Sequence, residues 1–372
     1  MKKIIILIIF LGLIIFLNQT GSLLAIELKF EKRVILKETS KESIISFMGP
    51  ICSLENNRFF IADIKEMNFK IFDFNGNYLG TYGRGGQGPG EFRHLRAADY
   101  YQNFIYILDS NARRIVIYQQ KEDQSFVFKR VLRLPPPGPT ATWHDLKLKG
   151  KEILIFGEGM IDKQLYCLYS INPENEKVRG LVPYQIQYGY SPYDSDWQSK
   201  ARRYAYMVTG SGFYFDYYNN LIFFIWARPY KITKYDLTTN NWKSFFMAET
   251  DNFKPDKPIS KAKYFSPSFR KQHDDFYRSV SHVFGLMATN KIVAILFNNY
   301  YKKNGLWQSY MHIYSHEGKL IKELIIPESK GLSSHPRIFY DRSTQSFYIS
   351  QRLPATDGIN EEKTILIYRI IE

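Results

Sequence analysis

Four histidines, His94, His144, His282 and His335, and three arginines, Arg93, Arg96 and Arg337, carry the clearest chemical potential in this sequence. Imidazoles from separated stretches of chain can converge on a metal ion, which then activates water or polarises a carbonyl. Guanidinium groups beside them would draw an anion. Local spacing announces neither role: there is no H-E-x-x-H, G-x-S-x-G or C-x-x-C, and no calcium loop of the D-x-D-x-D-G type. Asp63 and Asp109 end apolar runs, where capping a turn is the ordinary job of an aspartate. Whether the histidines meet therefore depends on the elements that carry them.

The stretch GRGGQGPGEF, Gly83 to Phe92, holds five glycines and poses a second question, phosphate cradle or turn. A P-loop needs G-x-x-x-x-G-K-[ST] between a strand and a helix, whereas Gly90 is followed by Glu91 and Phe92. A dinucleotide fingerprint would need a helix to open next. The chain instead continues RHLRAADYYQNFIYILD, which alternates and is rich in β-formers. The stretch reads as a turn between strands, where glycine supplies positive φ and close backbone approach.

Both flanks of that turn repeat. NRFFIADIKEMNFKIFDFNGNYLGTYG upstream and NFIYILDSNARRIVIYQQ downstream each give an apolar strand ending in Asp, a polar turn and a second strand ending in an aromatic. ADYYQNFIYIL (98–108) aligns without gaps on FDYYNNLIFFI (215–225) and more loosely on YDRSTQSFYIS (340–350), which makes Asp99, Asp216 and Asp341 equivalent. A second anchor is the aromatic near the end of each third strand: Phe72, Tyr118, Tyr169, Tyr235, Tyr314 and Tyr368. These anchors are mostly about 45 to 55 residues apart. Six such units specify an all-β, six-bladed β-propeller with four-stranded antiparallel blades, because a single blade cannot bury both its faces. The last unit ends at TILIYRIIE without a fourth strand, and LKFEKRVILK near the N-terminus is a strand to spare. As the outer strand of the last blade it closes the ring and removes its edges.

The segment GRGGQGPGEFRHLRAADYYQNFIYILDSNARRIVIY resembles the NHL repeat in its Gly-rich turn, Gly-Glu-Phe, inner strand, apolar strand ending in Asp, and Asn followed closely by Arg-Ile. Gly90, Glu91, Phe92, Asp109, Asn111, Arg114 and Ile115 match that pattern, while His94 stands where the family often has proline. The other five units match poorly. Residues 26–372 as a whole look like the six-bladed propellers of bacterial exported proteins. The resemblance also brings in propeller lyases of NHL-type fold, in which channel-facing histidines bind a metal.

Two outer-to-inner connections are swollen, at about 184–210 and about 249–280, and both open over the same face. The second is expected to hold a helix with Ser266 as cap, Pro267 at its first position, and Phe269, His273, Phe276 and Val280 along one side. Both mix aromatic with basic residues, suited to stacking on sugars or anchoring a peptide while arginine pairs with a carboxylate. The expected ligand contacts are Arg93, His94, Arg96, Trp143, His144, Trp197, Arg202, Arg203, His282, His335 and Arg337. Inner strands alternate their facing, so the four histidines cannot all look into the channel, and they are weak metal candidates. No cofactor is expected.

MKKIIILIIFLGLIIFLNQTGSLLA has the layout of an export signal over residues 1–25, cleaved near Ser22 or Ala25, with an uncleaved anchor as the alternative. An extracytoplasmic protein follows: periplasmic, in the envelope, or secreted. Cys52 and Cys167 fall in non-adjacent units, which argues against a bridge even in an oxidising compartment. The net charge of +14 is scattered without a basic run, and export argues against nucleic acid. The expected partners are an envelope protein, a glycan or another anionic ligand, bound by a monomer. The function expected is a non-enzymatic exported scaffold that binds through its loop-bearing face; the alternative is a metal-dependent lyase or hydrolase using channel histidines.

Overall fold

The computed structural model describes residues 26–136, 143–184, 214–226, 230–255, 266–331, 336–354 and 361–371. Strand β1 (Glu27–Ile35) leads into blade one, made of β2 (Met48–Leu54), β3 (Arg58–Asp63), β4 (Asn68–Asp73) and β5 (Tyr78–Tyr82). A short parallel ribbon of β6 (Arg84–Gly85) and β7 (Glu91–Phe92) connects to blade two: β8 (Leu95–Tyr101), β9 (Phe104–Asp109), β10 (Arg114–Gln120) and β11 (Phe126–Arg133). Blade three is β12 (Trp143–Lys149), β13 (Glu152–Ile161), β14 (Gln164–Ile171) and β15 (Val178–Pro183). Blade four is β16 (Tyr214–Tyr218), β17 (Leu221–Trp226), β18 (Lys231–Asp236) and β19 (Asn241–Phe246). Helix α1 (Pro267–Arg278) precedes blade five: β20 (His282–Ala288), β21 (Ile292–Tyr301), β22 (Leu306–Ser315) and β23 (Leu320–Gly331). Blade six takes β24 (Arg337–Asp341), β25 (Ser346–Pro354) and β26 (Glu361–Ile371) from the C-terminus, and β1 pairs antiparallel on β26 as its outer strand. The fold is a six-bladed β-propeller closed by its N-terminal strand.

Second and third strands of the blades are buried on both faces, which is why β9 (FIYILD) reads as a nearly continuous apolar run and why even Lys70 of β4 (NFKIFD) is buried. Outer strands face solvent on one side and alternate, as in β19 with its exposed, half-buried rhythm. The described core divides into six clusters, one at each junction between neighbouring blades. Each third-strand aromatic sits in the cluster shared with the preceding blade: Phe72 against blade six, Tyr118 against blade one, and so on round to Tyr368 against blade five. Burying one such ring is worth about 1.5–3 kcal/mol, which explains why an aromatic recurs there. Their hydroxyls find partners as well, Tyr118 donating to the Gly90 carbonyl at 2.6 Å and Tyr169 accepting from Trp143 Nε1 at 2.7 Å.

One alignment needs correcting. Asp99 and Asp216 pair with residues seven further along, Tyr106 and Phe223, whereas Asp341 pairs with Ser346, five along. The blade-six hairpin turns through four residues, 342–345, while in blade two the turn is Gln102 and Asn103, both at positive φ. A gapless alignment could not see that difference.

The glycine stretch is the turn from the outer strand of blade one to the inner strand of blade two. Glu91 folds back into it, accepting from the Gly88 N–H at 2.7 Å and from Arg84 Nε at 2.8 Å, so a carboxylate occupies a donor that a phosphate would need. Arg114 clamps the loop from β10, donating to the Glu91 carbonyl at 2.7 Å and to Asp109 at 3.1 Å. Gly83 has φ +74, and a Cβ there would lie 2.4 Å from the Phe92 ring. Gly150 has φ +58 but open space around it. Gly150→Ala should therefore cost about 1–2 kcal/mol for backbone strain alone. Gly83→Ala should cost about 1–3 kcal/mol more through overpacking. Urea unfolding of the two variants measures the difference, and equal costs would refute the close approach of Phe92.

Candidate functional site

The inner strands β2, β8, β12, β16, β20 and β24 surround an axial channel, which contains a cavity of ≈ 270 Å³. Four of these strands carry a β-bulge near their start: between Met48 and Ile51, Leu95 and Ala97, Trp143 and Asp145, and Val283 and Gly285. A bulge leaves an unpaired residue and re-aims its side chain. Pro50, Arg96, His144 and Phe284 stand in these bulges, and all four line the cavity. The two unbulged inner strands contribute their first residues, Tyr214 and Arg337. One residue from each blade thus forms a ring around the channel neck.

Within that ring, Arg96 Nε donates to the His144 carbonyl at 3.2 Å. Arg337 Nε is buried without a hydrogen-bond partner among the described residues. Burial pushes the Arg337 guanidinium down from its ordinary range, the nearby Tyr214 opposes this, and Arg96 adds to it. Burial, then Arg96, pushes His144 down to about 3, so its ring, packed 5.9 Å from that of Phe156, is neutral at neutral pH. Burial pushes Asp145 up to about 6 against the pull of Lys147 and the Leu146 N–H, which it accepts at 2.8 Å.

The other expected contacts are dispersed. Arg93 is exposed, and its N–H and that of His94 cap Asp109 at 3.1 and 2.9 Å. The His94 ring binds Ser110 Oγ at 2.7 Å. Trp143 is buried in the junction of blades two and three rather than facing a ligand, because the bulge turns His144 and not its neighbour toward the channel. His282 is fully buried, its Nε2 bonded to the Tyr277 carbonyl at 2.8 Å and its ring near Tyr277 and Trp307, so it fastens the last turn of α1 to blade five. Among the described residues no three or more His, Cys, Asp or Glu are grouped as a metal site. Trp197, Arg202, Arg203 and His335 lie outside the described residues, as do residues 1–25 and most of the first insertion. Helix α1 begins at Pro267 as expected, but it ends at Arg278, so Val280 packs beyond it. Cys52 and Cys167 are buried free thiols in blades one and three. No helix among the described residues is long and apolar enough to cross a membrane.

On the loop-bearing face the neck opens, past Arg337 and Phe47, into a basin of ≈ 560 Å³. Its walls are the 44–48 segment and the end of α1, with Asp274, Tyr277 and Arg278, joined by Trp307 and Arg352. Phe47 is 55% exposed there.

The opposite end opens past Asp99 and Lys147 into a wider basin of ≈ 900 Å³. Here the three repeat aspartates each reach across to the next blade. Asp99 accepts from the Leu148 N–H at 2.8 Å, Asp216 from the Ala288 N–H at 2.8 Å, and Asp341 from Ser53 Oγ at 3.0 Å. Arg342 pairs with Asp216 and lies 4.2 Å from the centre of the Tyr217 ring. Sequence reasoning used these aspartates as repeat markers and passed over Lys147 and Arg342, although the recurrence of Asp in alternate blades was the available signal.

The DUF5128 family, described as a 6-bladed β-propeller, has a model that matches residues 17–177. No curated protein matches the chain. A solved member of the DUF4221 family from Bacteroides vulgatus is similar at 13% identity and a TM-score of 0.59, with 94% of this chain and 100% of that one covered. A solved Bacteroides fragilis protein described as exported is similar at 16% identity and a TM-score of 0.53, with 93% of this chain and 96% of that one covered. At these identities the likeness shows the fold alone.

Asp145 offers a check on the electrostatics of the neck. Its folded-state pKa near 6 lies above the unfolded value of roughly 4, so its charge costs stability above pH 4 and costs it fully above pH 6. Asp145→Asn, which keeps the acceptor for Leu146, should be more stable than the parent by about 1–2 kcal/mol at pH 7.5, with the gain fading between pH 6 and 4. Urea unfolding at three pH values tests this, and a pH-independent difference would contradict it.

Proposed function

We propose that this chain is an exported bacterial scaffold with NHL-like repeats that binds a glycan, a peptide or an envelope protein through its loop-bearing face, without catalysis. The observation that carries this is the basin over the channel neck. One wall is α1, which belongs to an insertion that blade closure does not require, and the other presents Phe47 more than half exposed beside Ile44. An exposed ring facing a wall with Tyr277 and Arg278 suits a ligand with an apolar or sugar face and an acidic group. Export is supported by the lysine-led apolar start of the sequence. The reading favours binding over metal catalysis because His94 and His282 are engaged by Ser110 and the Tyr277 carbonyl.

Glycan and peptide arrays probed with residues 26–372 should yield ligands that the double variant Phe47→Ala, Arg278→Ala binds at least tenfold more weakly at an unchanged unfolding midpoint. Binding indifferent to both substitutions, or a turnover abolished by His144→Ala, would overturn the proposal.

A further inference from the structure

We propose that the channel neck is a seat for a single oxyanion, a carboxylate, phosphate or sulfate group, held between Arg96 of β8 and Arg337 of β24. The inference goes beyond the face-level reading, since an anion held by Arg96 and Arg337 needs no contact with α1.

Cations outnumber carboxylates in the lining of the neck, with Arg96, Lys147 and Arg337 against Asp99 and Asp145. Two guanidinium groups line one cavity of ≈ 270 Å³, and among the described residues neither has a carboxylate within ion-pair distance. Arg337 Nε lacks any acceptor there. A buried donor left unpaired costs free energy, and like charges sharing a low-dielectric space add to the cost. An oxyanion answers both, because the planar guanidinium fork matches its paired oxygens.

The carboxylates already in the channel make no ion pair with either arginine among the described residues, although the Arg96 charge reaches Asp145. Asp145 accepts from the Leu146 N–H, and Asp99 accepts from the N–H groups of Tyr100 and Leu148. Lys147 lies 4.0 Å from Asp216 on the far side of the neck. At the basin rim, Glu361 pairs with Arg352 and Glu38 with Lys363. The remaining polar members of the ring suit an anion. Tyr214 is held protonated by burial and so can donate, and His144 is neutral.

Access and size set the ligand class. Arg337 lines both the neck and the basin, so an anion arriving from the loop-bearing face meets it first. The cavity has room for one oxyanion and a short stem. A larger ligand could place only its anionic end there.

Calorimetric titration of residues 26–372 at low ionic strength with sodium sulfate, sodium phosphate, sodium acetate and sodium glucuronate tests the proposal. Saturable one-to-one binding of at least one of these anions is expected. Arg337→Gln should weaken it at least tenfold. Arg96→Gln, a second variant should Arg337→Gln fail to fold, should weaken it comparably. Tightest binding by sulfate or phosphate would identify a free anion as the natural ligand, and tightest binding by glucuronate the acidic end of a glycan. No saturable binding of any of the four, or binding that survives both arginine substitutions, would refute the seat. In that outcome, array ligands lost on Phe47→Ala, Arg278→Ala would still uphold the face-level reading.

Discussion

Ring closure is the constraint on which the rest of this molecule depends. A blade whose second and third strands are apolar on both faces has no stable existence alone, so each needs a neighbour on either side. The first and last blades obtain theirs only when β1 from the N-terminus completes the sheet ended by β26. The pairing runs from Glu27 opposite Ile371 to Ile35 opposite Thr364, and it carries Val34 into the cluster between blades six and one. With the circle shut, all six junctions are packed and the inner strands are forced to face one another across a channel. The site is a by-product of closure.

Buried and half-buried carboxylates show how the ring is pinned. Asp63 and Asp109 end second strands and accept backbone N–H groups from the segments entering their blades, at Ser46 and Phe47 in one case and Arg93 and His94 in the other. Asp99, Asp216 and Asp341 do a different job from the inner strands of alternate blades, reaching across to the blade that follows. A carboxylate this deep is tolerated because hydrogen-bond donors meet its oxygens. Arg337 is one of the exceptions, its Nε buried without an acceptor among the described residues where all six blades converge.

Much of the fold was legible in the sequence, and for local reasons. Strands betray themselves by alternation and by β-branched and aromatic content, so NFIYILD and RIVIYQQ could be read without a structure. The spare N-terminal strand and the missing C-terminal one implied closure by simple accounting. The turn role of the glycine stretch followed from what a phosphate loop requires and Glu91 and Phe92 deny. The recurring third-strand aromatic also followed, since any ring in that place is buried against the preceding blade.

What the sequence by itself determined, then, is the architecture, because blade and period are written in local composition. What only the tertiary structure decided is which side chains enter the channel. That outcome rests on β-bulges at the starts of β2, β8, β12 and β20, and a bulge is a property of the ladder between two strands rather than of either strand's composition. Strict alternation gives no means of telling Trp143 from His144, or of knowing that Arg96 turns inward while His94 settles on Ser110. One extra residue per bulge reverses the facing of what comes before it, and so the members of the neck had to be seen in three dimensions.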